Sequence, residues 1–178
     1  IMKSDYLLVN GDLIRGYFLL LPKIKERLRS MYDKSHFCIM HGDLCFNNIL
    51  YEPFSSTIRL IDARGSFNNQ KSTIYGDQKY DYAKLSHSAV HFYDYILAGR
   101  YQIDLKKDEI NYCFRSSENY EIIAKKWNKQ IEKDGYSVND INFIVGILFL
   151  SMTPLHSEDS LRQKLMFIHG LYILNKFL

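Results

Sequence analysis

No feature constrains the fold of this chain more than the stretch HFCIMHGDLCFNNILY at 36–51. Two short apolar runs, FCIM (37–40) and NILY (48–51), read as strands, and the gap between them holds a carboxylate and two adjacent amides. A further run, TIRLID (57–62), alternates apolar and polar residues, and the intervening EPFSS reads as a turn. That pattern predicts a hairpin at 48–62, preceded by a strand and a polar loop at 41–48. Ordinary turn geometry asks for Gly, Pro or a single Asn. It does not ask for Asp43 together with Asn47 and Asn48.

Elsewhere the periodicity is helical. Residues 17–33 put Tyr17, Leu20, Leu21, Ile24, Leu28 and Met31 on one face, with Lys23, Lys25, Arg27 and Arg29 mostly on the other. RGSFNNQKSTIYGDQ (64–78) is polar and Gly-containing, a long irregular loop of the kind that carries function or moves. A helix is expected from Asp81 to about Leu97, ended by Gly99, and EINYCF (109–114) reads as a strand or extended loop. Ser117 reads as the N-cap of a helix to about Lys133, stopped by Gly135. Ser137 caps another to about Met152, and Ser157 opens a last one with Leu161, Leu165, Ile168 and Tyr172 as its apolar stripe. The expected class is therefore α+β and mainly helical, with one small hairpin platform carrying the polar gap.

Composition narrows the function classes. The chain has 178 residues, 47% hydrophobic and 24% charged, which suits one domain or one large lobe. Net charge is only +3, and the basic clusters at 23–29 and 125–129 fall at helical spacing, so they read as solvated faces rather than a nucleic-acid site. Three cysteines, Cys38, Cys45 and Cys113, lack metal-site spacing and suit reduced thiols in a cytoplasmic setting. The longest apolar stretch, FIVGILFLSM (143–152), is about half of a bilayer span and reads as a buried helix, so no transmembrane segment is expected. His87 and His91, four apart, are read as packing among Phe92, Tyr93 and Tyr95 rather than as metal ligands.

The spacing in the polar stretch carries chemistry. Asn48 follows Asp43 by five residues and Asp62 follows it by nineteen. A hairpin of 48–51 with 57–62 brings Asn48 and Asp62 to the same end, beside the loop that holds Asp43. An amide oxygen beside a carboxylate suits a hard cation such as Mg²⁺. A second carboxylate close by can take a proton from a hydroxyl. Phosphoryl transfer needs this combination of metal clamp and positioned base.

In these residues the chain resembles the aminoglycoside phosphotransferase and choline kinase group, which shares the protein-kinase fold. HGDLCFNN is similar to its catalytic loop, LIDARG to its metal-binding strand end, and YGDQKYDYAKL (75–85) to the segment opening its long central helix. The detailed likeness covers about residues 17–100. The resemblance implies a kinase-like large, C-terminal lobe over 1–178, with Asp43 as catalytic base and Asn48 and Asp62 as Mg²⁺ ligands. It implies Arg64 as a phosphate- or acceptor-binding residue. His41 would shape the loop, and Asp81 would be buried and hydrogen-bonded to the loop backbone. ATP and Mg²⁺ are the implied cofactors. A small-molecule hydroxyl is the implied acceptor: a sugar, sugar nucleotide or amino alcohol, by likeness to bacterial enzymes of surface-polysaccharide synthesis.

The chain also departs from the pattern. Cys45 stands two residues after Asp43, where protein kinases carry Lys, and a thiol supplies no positive charge. Phe46 and Asn47 replace the usual Pro and Gly or Glu. Nothing before His41 offers a Gly-rich loop or a strand Lys paired with a helix Glu. A nucleotide-clamping N-terminal lobe is therefore expected in the same protein but outside this chain, with Ile1 not a natural start and this piece alone inactive. The alternative is a kinase-like binding or scaffolding module without activity. A metal-dependent phosphohydrolase is a third reading.

Overall fold

In the computed structural model, the described residues are 3–33, 36–65, 73–107 and 109–178. The chain folds as an α+β protein, 52% helical and 19% strand. A hairpin of β1 (Tyr6–Val9) and β2 (Asp12–Arg15) leads into α1 (Tyr17–Ser30). Strand β3 (Phe37–Ile39) delivers the polar loop, which ends in a 3₁₀ turn at Phe46–Asn48. The second hairpin is β4 (Ile49–Glu52) with β5 (Thr57–Leu60), in register Ile49 to Leu60 through Glu52 to Thr57. β6 (Tyr75–Asp77) returns to pair antiparallel with β3 and runs into α2 (Lys79–Ala89). There follow α3 (Tyr93–Leu97), β7 (Tyr101–Leu105), β8 (Ile110–Phe114), α4 (Asn119–Lys133), α5 (Val138–Met152) and α6 (Ser160–Phe177).

The structure corrects the sequence reading at several points, among them the N-cap of α4, which is Glu118 without a side-chain cap rather than Ser117. The structure has a four-stranded sheet, order β2-β1-β8-β7, in addition to the expected hairpin platform. Its turn is Asn10-Gly11, both with positive φ (51° and 83°), the left-handed pair that a tight hairpin needs. The helix expected to run unbroken from Asp81 to Leu97 is two helices, α2 and α3. Phe92 takes a left-handed φ of 61° between them because its ring stacks at 4.1 Å on Tyr120 and 4.4 Å on Phe114, while its N–H donates to the Tyr120 hydroxyl. The last helix is capped by Asp159, not Ser157: the Asp159 carboxylate accepts from the N–H groups of Leu161 and Arg162. Of the expected loop at 64–78, residues 66–72 lie outside the described residues, as does Ile1.

The core forms around α5 and α6. Gly146 and Gly170 let these helices approach: a Cβ on Gly146 would lie 2.7 Å from Leu174 Cγ, and one on Gly170 3.0 Å from Phe149 Cβ. One side of the pair buries Ala83, Ile96, Ile131, Val145, Phe149 and Leu165 against α2, α3 and α4. The other buries Val9, Ile14, Leu20, Ile110, Phe143 and Ile168 against the large sheet and α1. Among the described residues one run, Val138–His156, is long and apolar enough to cross a membrane. Most of it is α5, whose Phe143, Val145, Leu148 and Phe149 are buried in this core. The polar loop is thus hung on α2, which is packed on α5 through this core.

Candidate functional site

The first turn of α2 builds the site. Asp81 is buried there, and its carboxylate accepts from the backbone N–H of His41 at 2.6 Å and of Gly42 at 2.8 Å. Two charge-assisted bonds from one helix thus fix the loop backbone. Gly42 takes a φ of 78°, where a Cβ would be strained, and this turns the chain so that Asp43 follows directly. The His41 ring ties the loop to the hairpin. Its Nδ1 accepts from the Asp43 N–H at 3.3 Å, so Nε2 carries the proton and donates to the Ile61 carbonyl at 2.8 Å. The Arg64 N–H donates to the His41 carbonyl at 2.7 Å, and the Arg64 side chain is exposed.

Asn48 joins the same frame. Its Nδ2–H donates to the Asp43 carbonyl at 2.8 Å, and its own carbonyl accepts from Ile61 N–H at 3.0 Å. The second bond extends the hairpin ladder one rung past Ile49–Leu60, so Asp62 is the next residue beyond Asn48's partner. Asp62 is exposed, with a left-handed φ of 56° that takes the chain off the strand. Such backbone in a non-glycine residue is a local strain that clusters at functional positions. Asn48 Oδ1 and the Asp62 carboxylate have no hydrogen-bond partner among the described residues. These are hard-oxygen donors suited to a divalent cation sharing its shell with phosphate. Among the described residues no three His, Cys, Asp or Glu side chains gather into a metal cluster, so the donor set here rests on an amide oxygen with carboxylate.

One residue of the site was not singled out from the sequence. Lys84 Nζ lies 2.6 Å from Asp43 Oδ1, and Lys84 is only 5% exposed. It stands three residues after Asp81 on α2, hence on the same face, and that spacing was the available signal. Cys45 is buried beside the pair. Burial pushes its thiol up and the Asp43 charge adds to that, with Lys84 opposing, so Cys45 stays a neutral thiol.

Three histidines outside the loop are packed. Burial holds His87 well below its ordinary range, with the Lys84 charge a second cause, and its ring stacks at 3.7 Å on Tyr93. His91 is lowered by burial to about 4 and meets Asn142 Oδ1 at 2.8 Å. His169 is lowered by burial to about 3 and shares a hydrogen bond with the Tyr112 hydroxyl at 2.9 Å. An apolar groove of about 900 Å³ lies elsewhere, between α1, α5 and α6, lined by Tyr17, Leu21, Ile147, Leu150 and Phe167. It contains none of the polar loop groups.

No protein-family model matches the chain, and no curated protein or solved structure matches it either.

Proposed function

We propose that this chain is the large lobe of a kinase-like phosphotransferase that moves the γ-phosphoryl group of ATP, with Mg²⁺, to a hydroxyl of a small molecule. One observation carries the reading. Asn48 Nδ2 is committed to the Asp43 carbonyl, which leaves Asn48 Oδ1 uncommitted, and Asp62 follows directly after Ile61, the ladder partner of Asn48. The loop and the hairpin end, in this reading, hold a cation site and a proton acceptor in one frame. In this reading Asn48 and Asp62 hold Mg²⁺, which when bound neutralises phosphate charge.

Asp43 would do the proton chemistry. As the acceptor oxygen bonds to the γ-phosphorus and the bond to the leaving ADP oxygen breaks, the hydroxyl proton passes to Asp43 Oδ2. Arg64, exposed at the loop edge, is proposed to bind phosphate or acceptor. The hairpin supports a further element of the reading. Tyr51, Ile58 and Leu60, which the register puts on one face of the hairpin, are all more than 50% exposed, an apolar surface that suits a nucleotide base and a covering N-terminal lobe. The acceptor is proposed as a sugar, sugar nucleotide or amino alcohol.

The test is phosphate transfer from radiolabelled ATP by the full-length protein to a panel of hexoses, nucleoside-diphosphate sugars and amino alcohols. Asp43→Asn should lower turnover about 10²–10⁴-fold while nucleotide affinity stays near wild type. Wild-type transfer in Asp43→Asn would make Asp43 a turn residue and bring the scaffold reading forward.

A further inference from the structure

The Asp43–Lys84 pair is costly unless it does something. Lys84 is 5% exposed while the Asp43 side chain keeps 32% of its surface in solvent, so the desolvation cost of several kcal/mol for a buried ion falls on the ammonium. An apolar pair of similar volume would hold α2 against the loop as well. The loop from His41 to Asn48 contains no Lys or Arg, and its buried cysteine is neutral. Meanwhile Asp43, Asp62 and Asp81 bring three carboxylates to the loop and hairpin end. A fourth anionic group, a phosphate, would have to approach that charge.

We infer that Lys84 is a positioning residue for Asp43: it pins Oδ1 and supplies from α2 the positive charge that the loop itself lacks. This rests on the proposed phosphotransferase reading. With Lys84 Nζ at 2.6 Å from Oδ1, the rotation of the carboxylate is fixed. Oδ2, which has no partner among the described residues, is then the oxygen presented to an incoming hydroxyl. During transfer the hydroxyl proton goes to Oδ2, and the new oxygen–phosphorus bond forms as the ADP oxygen leaves. The same α2 turn therefore sets both the loop backbone, through Asp81, and the side chain of the proposed base, through Lys84. A structural pair would need only contact. A positioning pair needs charge, and it needs Asp43.

The experiment is a double-mutant cycle on kcat in the full-length protein: Lys84→Met, Asp43→Asn and the two combined. The readout is ADP release from MgATP, with water as acceptor if no hydroxyl compound turns over. Lys84→Met should lower kcat about 10²-fold, the scale of a misplaced catalytic group, with KM for MgATP within about twofold of wild type. Lys84→Arg should recover most of the rate. In the Asp43→Asn background, Lys84→Met should cost nothing further. Lys84→Gln, equally uncharged, replaces Lys84→Met should that variant not fold. Wild-type kcat in Lys84→Met, or an equal loss with Asp43→Asn already present, would overturn the inference while leaving the phosphotransferase reading in place. Unimpaired turnover by Asp43→Asn, or no ADP release by the wild type, would remove that reading and the inference with it.

Discussion

Replacing Asp81 with asparagine exchanges one of two acceptor oxygens for an amide nitrogen and removes the charge. The His41 and Gly42 N–H groups now bond to this carboxylate at 2.6 and 2.8 Å, and one of them would face a donor instead. A hydrogen bond to a charged group is worth about 1.5–3 kcal/mol, and the surviving bond falls to the neutral range near 1 kcal/mol. The loss expected at the loop is about 2–5 kcal/mol. With each 1.4 kcal/mol being tenfold, hydrogen exchange at the His41 and Gly42 amides should speed up by about 30- to 4,000-fold. Trp127, the single tryptophan, follows α2 itself, because its Nε1–H donates to Ser86 Oγ at 2.8 Å and its ring stacks on Tyr82. Its fluorescence in a urea titration should show a lower midpoint in Asp81→Asn, with an unchanged slope. Exchange at both amides and a urea midpoint matching wild type would refute the view that Asp81 hangs the loop from the helix.

Other expectations follow from packing, titration and capping. Gly146→Ala must displace Leu174, whose Cγ lies 2.7 Å from the new Cβ, so overpacking of about 1–3 kcal/mol should outweigh the helix-propensity gain near 1 kcal/mol and lower the Tm. A raised Tm would show that α5 and α6 have room to spare. His91 and His169, held by burial at about 4 and about 3, and His87, held well below its ordinary range, stay neutral in the fold, whereas the unfolded chain protonates them below about 6.5. Stability is therefore complete above about pH 6.5 and falls as pH drops towards those folded values, by about 1.4 kcal/mol per pH unit for each group. Urea midpoints at pH 7 and pH 5.5 measure this, and equal midpoints would contradict it. Asp159→Ala removes an acceptor for two N–H groups of α6 and should cost about 1 kcal/mol in thermal unfolding.

What the sequence made legible was local. EPFSS between two apolar runs is a turn whatever surrounds it, and β4 and β5 pair across it in register. Ser137 caps α5 with its own hydroxyl, accepting from Asp140 N–H. The misses were of two kinds. Phe92 breaks a helix without Gly or Pro because Phe114 and Tyr120, distant in sequence, clamp its ring. No local pattern carries that information. The β1–β2 hairpin did carry one, the Asn10-Gly11 pair, while its sheet depends on pairing Val9 with Ile110 a hundred residues on. At the site, Asp43, Asn48 and Asp62 stand out by residue type and spacing. Lys84 does not, because a lysine on a helix is ordinarily a solvated one; only its helical phase with Asp81 sets it apart.

The claim that Asn48 and Asp62 share a cation with a bound nucleotide beside Asp43 can be read directly with Mn²⁺ in place of Mg²⁺. In the full-length protein with ATP, paramagnetic broadening of backbone amide signals should centre on Asn48 and on Ile61 and Asp62, and reach Asp43. In Asp62→Asn it should weaken together with nucleotide affinity. Broadening centred elsewhere on the chain, or unchanged in Asp62→Asn, would contradict the cation site and the phosphotransfer built on it.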